Sequence, residues 1–183
     1  MILLVDLCIE KDSLSKYEFV HPIADTLERS GFSVEIWHYS ELARLMPEKF
    51  DKIILCGTAL KDNYYAEHIN SFFWIKCCST PVLGICAGMQ VIGSVFGGRI
   101  VSQQAIGLEA IEIIRASALL GEPRTIEGYH LHNFGVTLPD DFLLLAGCDE
   151  HAEAFKHKIL PIYGIIFHPE VRNSWILEHF ANL

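Results

Sequence analysis

A cysteine that follows an apolar, strand-like run is the residue of this sequence best suited to nucleophilic chemistry. Cys86 lies in the run 81–90, between Gly84 and Gly88, and small flanking residues allow the sharp strand-to-helix turn of a nucleophile elbow. A thiol at the start of a helix lies among unpaired N–H groups, which favour its thiolate form. The spacing therefore predicts that Cys86 is a nucleophile, and a buried structural cysteine at a strand end is the alternative.

A general base for this nucleophile is available near the end of the chain. His168 follows the apolar run 162–167, and Pro169 and Glu170 come directly after it. A nucleophilic thiol needs a base to take its proton, and the base needs a partner that orients its ring. Parallel strands of one sheet can bring their carboxyl ends together, so we expect Cys86, His168 and Glu170 to form a catalytic triad.

The two motifs together resemble those of the class I, or triad, glutamine amidotransferases. The run Gly84-Ile85-Cys86-Ala87-Gly88-Met89-Gln90 matches the elbow of that family, and His168-Pro169-Glu170 matches its histidine and glutamate. The run 153–164 is most similar to the amidotransferase subunit of GMP synthases. The resemblance covers nearly the whole chain and implies a glutaminase, which hydrolyses glutamine to glutamate and ammonia through a thioester on the cysteine. It is much less specific about the molecule that receives the ammonia.

The resemblance also implies an oxyanion hole. The tetrahedral intermediate needs preorganised N–H donors, each worth about 3–4 kcal/mol, and Ala87, directly after the nucleophile, is expected to supply one from its backbone. In the family the second donor comes from a Gly-Gly-Pro turn after the third strand. Here that turn reads Gly57-Thr58-Ala59, so a backbone N–H from Gly57-Thr58 is expected, in a turn that the Cβ of Thr58 restricts.

Four further residues match family positions that bind the substrate glutamine: Gln90, His132, Asn133 and Phe134. Gln90 lies one turn into the elbow helix, where a helix cap or a solvent-exposed side chain is the alternative. The run 132–136 occupies the place of a loop that holds the glutamine backbone. At this place GMP synthases have a run similar to Ser-His-x-Asp-Glu. This chain lacks both acidic residues, and its loop is more similar to that of carbamoyl-phosphate synthetase small subunits. For His132, a structural role and a functional role explain the sequence equally well.

Composition and charge argue against several other classes of protein. The net charge is −9 without a basic cluster, which is unlike a protein that binds a phosphate backbone. The six cysteines form no C-x-x-C pair and the nine histidines no H-x-x-x-H pair, so we expect free thiols and neither a metal nor a cofactor. No apolar run approaches the roughly 20 residues that span a membrane, and the first residues lack a basic region, which predicts a cytoplasmic protein.

The alternation of strand-like and helix-like segments predicts an α/β fold. We expect a three-layer, doubly wound and mostly parallel sheet of the flavodoxin-like type, and the hydrophobic content of 51% suits a sheet covered on both faces. Mostly short strands are expected between residues 100 and 167. Without a linker or repeat, residues 1–183 are predicted to be one amidotransferase domain. The helices are expected at 19–30, 66–77, 89–96 and 174–183.

The sequence contains no P-loop or other nucleotide-binding glycine motif that would activate an ammonia acceptor. We therefore predict a glutaminase subunit that delivers ammonia to a separate ATP-dependent synthetase subunit, with the ATP-pyrophosphatase subunit of GMP synthase favoured. One alternative is a γ-glutamyl hydrolase or thiol amidase that needs no partner. The other is a catalytically weak regulatory paralogue, for which the departure at Thr58 is the only support.

Overall fold

The computed structural model describes residues 1–148 and 150–183, and within them nine strands form one sheet. The strands are β1 (Ile2–Asp6), β2 (Val34–His38), β3 (Lys52–Leu55), β4 (Val82–Ile85), β5 (Ile100–Ile113), β6 (Arg124–Val136), β7 (Phe142–Gly147), β8 (Ala152–His157) and β9 (Ile162–Ile165). Their order across the sheet is β2-β1-β3-β4-β9-β8-β7-β5-β6. The chain thus builds one half of the sheet mainly from its first strands and the other half from its later ones.

Five strands at one side of the sheet run parallel, from β2 through β1, β3 and β4 to β9. The strands β1, β4 and β9 are buried along their whole length, as expected for parallel strands covered on both faces. Ile85 at the end of β4 pairs with Ile165 at the end of β9. Because both strands point the same way, the residues that follow them, Cys86 and 166–168, meet at one edge of the sheet.

Helices cover both faces of this parallel half, which confirms the doubly wound α/β class. The α-helices are α1 (Lys16–Phe19), α2 (His21–Arg29), α3 (Ala87–Val95) and α4 (Trp175–Ala181), and the 3₁₀ helices are Tyr39–Arg44, Pro47–Lys49 and Tyr64–Cys77. Side chains of α2 and α4 belong to one hydrophobic cluster, whereas α3 and the helix Tyr64–Cys77 contribute to the other. Of the helices in the described residues, none is long and apolar enough to cross a membrane.

The antiparallel half of the sheet differs from the sequence prediction. β5 and β6 have 14 and 13 residues and form one long hairpin, so the prediction of mostly short strands is wrong for this stretch. The sequence pattern predicts only the ends of the two strands nearest their connecting loop. Ile106 and Leu108, in the middle of β5, are 56% and 53% exposed, so the alternation of apolar and polar residues does not follow burial there. The segment 66–77 is helical, but of the 3₁₀ type and with non-helical backbone angles at His68.

The sheet curls, so that β6 returns to the carboxyl end of β9. The N–H of His168 donates to the carbonyl of Tyr129 at 2.8 Å, and the side-chain amide of Asn173 donates to the carbonyl of Glu127 at 2.8 Å. These contacts place β6 next to the segment that carries His168, and the carbonyl of Leu131 in β6 lies 3.8 Å from Sγ of Cys86. One wall of the candidate site is therefore formed by a strand that is distant from β4 in the order of the sheet.

Candidate active site

Cys86 lies at a strained turn between β4 and α3. Its backbone angles are φ 51° and ψ −106°, a combination that residues with a side chain rarely adopt. A Cβ on Gly84 would lie 2.4 Å from the carbonyl carbon of Gly88, and a Cβ on Gly88 would lie 2.2 Å from the carbonyl oxygen of Leu55. Both glycines are therefore needed for α3 to pack closely on β4 and β3, as the elbow motif predicts.

His168 and Glu170 form a buried pair directly after β9. Nδ1 of His168 lies 2.7 Å from Oε1 of Glu170, and the two side chains are 1% and 0% exposed. Burial disfavours the charged ring, but the charges of Glu170 and Cys86 outweigh it and raise the pKa of His168 well above 6.5. Glu170 therefore stabilises the charged ring that forms when His168 takes a proton.

Gly57 is the point at which the cysteine and the histidine meet. A methyl group on Gly57 would lie 2.8 Å from Cε1 of His168 and 3.5 Å from Cβ of Cys86. In this structure the thiol of Cys86 donates to the carbonyl of Leu131 at 3.8 Å, and Nε2 of His168 has no hydrogen-bond partner among the described residues. The structure therefore brings the three residues of the predicted triad together.

Two residues expected to supply oxyanion donors, Ala87 and Thr58, line the cleft beside Cys86. Ala87 is the first residue of α3, so its N–H has no acceptor within the helix. Thr58 is 4% exposed and lines the same cleft as Cys86 and Ala87. Its hydroxyl donates to Oδ2 of Asp62 at 2.8 Å, and this oxygen also accepts from the N–H of Ile9 at 2.6 Å. Thr58 stands where the family has a second glycine, and its hydrogen bond to Asp62 holds this turn in place.

Gln90 ties three elements together behind the nucleophile. Its Oε1 accepts from the hydroxyl of Tyr65 at 2.6 Å, and its Nε2 donates to the carbonyl of Phe134 at 2.8 Å. The residue is 3% exposed, so the solvent-exposed alternative is wrong. Gln90 and Phe134 both line the cleft beside Cys86, but the oxygen and the nitrogen of the Gln90 amide each already have a protein partner in this structure.

The cleft beside Cys86 is closed in this structure. Its free volume is about 10 Å³, the space of about one water molecule, so a glutamine molecule does not fit. Asn133 crosses the cleft, since its Nδ2 donates to the carbonyl of Leu60 at 3.1 Å, and its Oδ1 accepts from Gln104 at 3.1 Å. The cleft must therefore widen between Leu60 and Asn133 before substrate enters.

Asn133→Ala is expected to raise kcat/KM for glutamine about threefold to tenfold. The variant removes the hydrogen bond that closes the cleft, and one such bond contributes about 1 kcal/mol. Steady-state release of glutamate measures the effect. Gln104→Ala is the matched control, because it removes the other bond of Asn133 and leaves the one to Leu60 intact. A lower kcat/KM in Asn133→Ala would instead indicate that Asn133 binds glutamine, as the family resemblance predicts.

His132 belongs to a buried chain of polar side chains that begins at Gln103. The carbonyl of Gln103 accepts from Nδ1 of His132 at 2.7 Å, which leaves Nε2 of that ring as an acceptor. Nδ1 of His130 donates to it at 3.1 Å, and Nε2 of His130 lies 3.6 Å from Oε2 of Glu153. Both ring nitrogens of His132 are therefore occupied, which favours the structural explanation of this residue.

Glu153, at the far end of this chain, is in an environment that favours its neutral form. Burial, together with the charge of Glu109, raises the pKa of Glu153 to about 7. Burial, together with His132 and His168, lowers the pKa of His130 to about 4. A neutral carboxyl group can donate its proton toward the free Nε2 of His130, whereas a carboxylate would face a lone pair. No local sequence pattern marks this pair, because its members lie on different strands.

The free energy of unfolding is expected to fall as the pH rises from about 4.5 to about 7, by about 3 kcal/mol through Glu153 alone. In this window the folded state keeps the proton that the unfolded state has lost, since the pKa rises from 4.5 to about 7 on folding. Glu153→Gln should therefore raise the free energy of unfolding by about 2–3 kcal/mol at pH 8 and change it little at pH 4.5. Urea denaturation at both pH values measures this.

The exposed Glu112 of β5 offers a control on the same sheet. Glu112→Gln should change the stability by less than about 0.5 kcal/mol at either pH, as is usual at surface positions. An equal gain in both variants at pH 8 would contradict the assignment to Glu153.

Comparison with known proteins gives consistent results. The sequence model of the family Glutamine amidotransferase class-I matches residues 14–178. A glutamine-hydrolyzing GMP synthase subunit of Pyrococcus furiosus is 34% identical, over 91% of this chain and 89% of that protein. The protein of the same name from Methanopyrus kandleri is 27% identical, over 91% of this chain and 93% of that protein.

Solved structures resemble this chain over its whole length. A protein of Thermoplasma acidophilum, described as a candidate GMP synthase subunit, superposes with a TM-score of 0.81 at 26% identity, covering 99% of this chain and 94% of that one. A glutamine amidotransferase from Thermotoga maritima superposes with a TM-score of 0.71 at 18% identity, covering 100% of this chain and 83% of that one. The second likeness concerns the fold alone.

Proposed function

We propose that this chain, which belongs to the class I glutamine amidotransferase family, hydrolyses glutamine to glutamate and ammonia with Cys86 as nucleophile, His168 as acid–base group and Glu170 as its orienting partner. The observation that carries the proposal is the meeting of a strained elbow cysteine and a buried His–Glu pair against Gly57. A cysteine, a base and a group that orients the base are the parts that acyl transfer requires.

In the proposed first half-reaction, the thiol of Cys86 gives its proton to Nε2 of His168. The thiolate attacks the side-chain amide carbon of glutamine, and the N–H groups of Ala87 and Thr58 stabilise the oxyanion that forms. His168 then donates its proton to the leaving nitrogen, the C–N bond breaks, and ammonia and a thioester result. The raised pKa of His168 supports this step, because the ring keeps the proton taken from the thiol until the leaving nitrogen accepts it.

In the second half-reaction, water attacks the thioester. His168 takes a proton from the water, the oxyanion forms again at the same donors, and its collapse breaks the C–S bond. Glutamate leaves and Cys86 recovers its proton from the ring. Glu170 accepts from Nδ1 of His168 throughout, which keeps Nε2 directed at the reacting atoms.

We infer that the ammonia goes to a separate synthetase chain, and that this partner is the ATP-pyrophosphatase subunit of GMP synthase. The relatives named as glutamine-hydrolyzing GMP synthase subunits, which this chain matches over most of their length, support this assignment. Ammonia is protonated in bulk water, so direct transfer across a docked interface favours coupling. The cytoplasmic location stays a prediction.

The partner assignment predicts glutamine-dependent amination of xanthosine monophosphate when this chain is mixed with the ATP-pyrophosphatase subunit of the same organism. GMP formation with ATP is the measurement, and free ammonia in place of glutamine is the positive control. Cys86→Ala should abolish the glutamine-dependent product and preserve the ammonia-dependent one. Product from ammonia but never from glutamine would exclude GMP synthase as partner and leave the glutaminase proposal intact.

A further inference from the structure

Asp62 is the one formally charged side chain among the described residues that line the cleft beside Cys86. Its two oxygens differ in their surroundings. Oδ2 accepts from the hydroxyl of Thr58 and from the N–H of Ile9, which fixes the carboxylate in place. Oδ1 is buried and has no hydrogen-bond partner in the described part of the chain. A buried carboxylate oxygen without a donor is costly, so such an atom calls for a ligand that supplies one.

The other buried side-chain oxygen and nitrogen atoms of the cleft already have partners among the described residues. Oε1 of Gln90 accepts from Tyr65, Oδ1 of Asn133 accepts from Gln104, and both ring nitrogens of His132 are occupied. Among the described residues, Oδ1 of Asp62 is therefore the buried polar side-chain atom of the cleft that has no partner, which makes it the best placed to accept from a donor that arrives with the substrate.

We propose that Asp62 binds the α-ammonium group of the substrate glutamine and thereby selects amino-acid amides over amides that lack the amine. The proposal rests on the proposed glutaminase function. An ammonium group carries three donors and a positive charge, and a carboxylate fixed in advance is the acceptor that matches it. The charge of Asp62 reaches the cleft, because it contributes, after burial and Cys86, to raising the pKa of Tyr65.

The same carboxylate connects substrate binding to the oxyanion turn. Oδ2 holds the hydroxyl of Thr58, whose backbone N–H is the proposed oxyanion donor, while Oδ1 holds the ammonium end of the substrate. Widening of the cleft at the bond between Leu60 and Asn133 leaves the bonds of Asp62 to Thr58 and Ile9 unbroken. Asp62 thus fixes the distance between the ammonium end of glutamine and one donor of the oxyanion hole.

Kinetics with two substrates test this assignment. L-Glutamine is compared with 4-carbamoylbutanoate, which is glutamine without its α-amino group, and ammonia release is measured for both. Asp62→Asn removes the charge but keeps an oxygen that accepts from Thr58 and Ile9. We expect kcat/KM for glutamine to fall about tenfold to a hundredfold, the value of a hydrogen bond between charged groups. For 4-carbamoylbutanoate it should change less than about threefold.

Thr58→Val is the matched control for the turn. It removes the hydroxyl bond to Asp62 and leaves the carboxylate, so it should lower kcat/KM for both substrates by a similar factor. Asp62→Ala, with its fold checked by circular dichroism, should lower kcat/KM for both substrates, and the loss should be larger for glutamine. An equal loss for the two substrates in both Asp62 variants, or no loss for glutamine, would overturn the proposal.

Equilibrium binding separates this proposal from the proposed function. Calorimetry with the Cys86→Ala protein, in which no turnover occurs, should show tighter binding of L-glutamine than of 4-carbamoylbutanoate, and Asp62→Asn in the same background should remove the difference. If the wild-type protein hydrolyses neither amide, the glutaminase proposal fails, and the binding result still decides the role of Asp62. Binding of glutamine that does not depend on Asp62 would refute the assignment.

Discussion

Replacement of Cys86 by alanine is expected to lower glutamine hydrolysis by at least about 10⁴-fold, because no thioester can form without the sulfur. Steady-state release of glutamate measures the loss, with circular dichroism as the check on folding. Cys77→Ala is the matched control, since Cys77 is a free and exposed cysteine outside the elbow. This control should keep its full activity.

A glutamine-derived electrophile such as a diazo-ketone analogue should label Cys86 alone. Two other cysteines lie near the site, but burial raises the pKa of Cys8 to about 12 and that of Cys56 well above its ordinary value. Both therefore stay as unreactive thiols. Peptide mapping that found Cys56 or Cys148 modified before Cys86 would contradict the assignment of the nucleophile.

The parts of the site that could be predicted from the sequence are those with a local signal. The glycines around Cys86 and the run His168-Pro169-Glu170 each mark a turn at the end of a buried strand, and neighbouring parallel strands bring such turns together. The family resemblance added the oxyanion turn and the substrate residues. The prediction that residues 1–183 form one domain stays a prediction.

The contacts that could not be predicted from the sequence depend on meetings between distant loops. The position of Asp62 depends on a contact between two loops, since Asp62 in the loop after β3 accepts from the N–H of Ile9 in the loop after β1. Neither loop contains a sequence pattern that indicates this contact. Gln90 is likewise occupied by Tyr65 and Phe134, which belong to a 3₁₀ helix and to β6. The contact with β6 follows from the curl of the sheet, which the alternation of residues along a strand does not encode.

His168→Asn is expected to lower glutamine hydrolysis at least about 10²-fold, the range for a positioned acid–base group. Asparagine keeps a polar side chain near Gly57 but cannot carry the proton that the leaving ammonia needs. Glu170→Gln should lower glutamine hydrolysis by a smaller factor. It removes the charge that orients and stabilises the His168 ring, but the ring itself remains. Single-turnover formation of the thioester and steady-state release of glutamate together measure both half-reactions.

The difference in hydrolysis rate between these two variants tests whether Glu170 acts through His168. Glu170 is buried with no exposed side-chain surface, and its charge raises the pKa of His168. Loss of that charge in Glu170→Gln should therefore shift the acid–base pKa in the pH–rate profile downward, in the direction opposite to the present shift. Near-normal hydrolysis by His168→Asn would require another base. His132 is poorly placed for that role, because its two ring nitrogens are already engaged by Gln103 and His130.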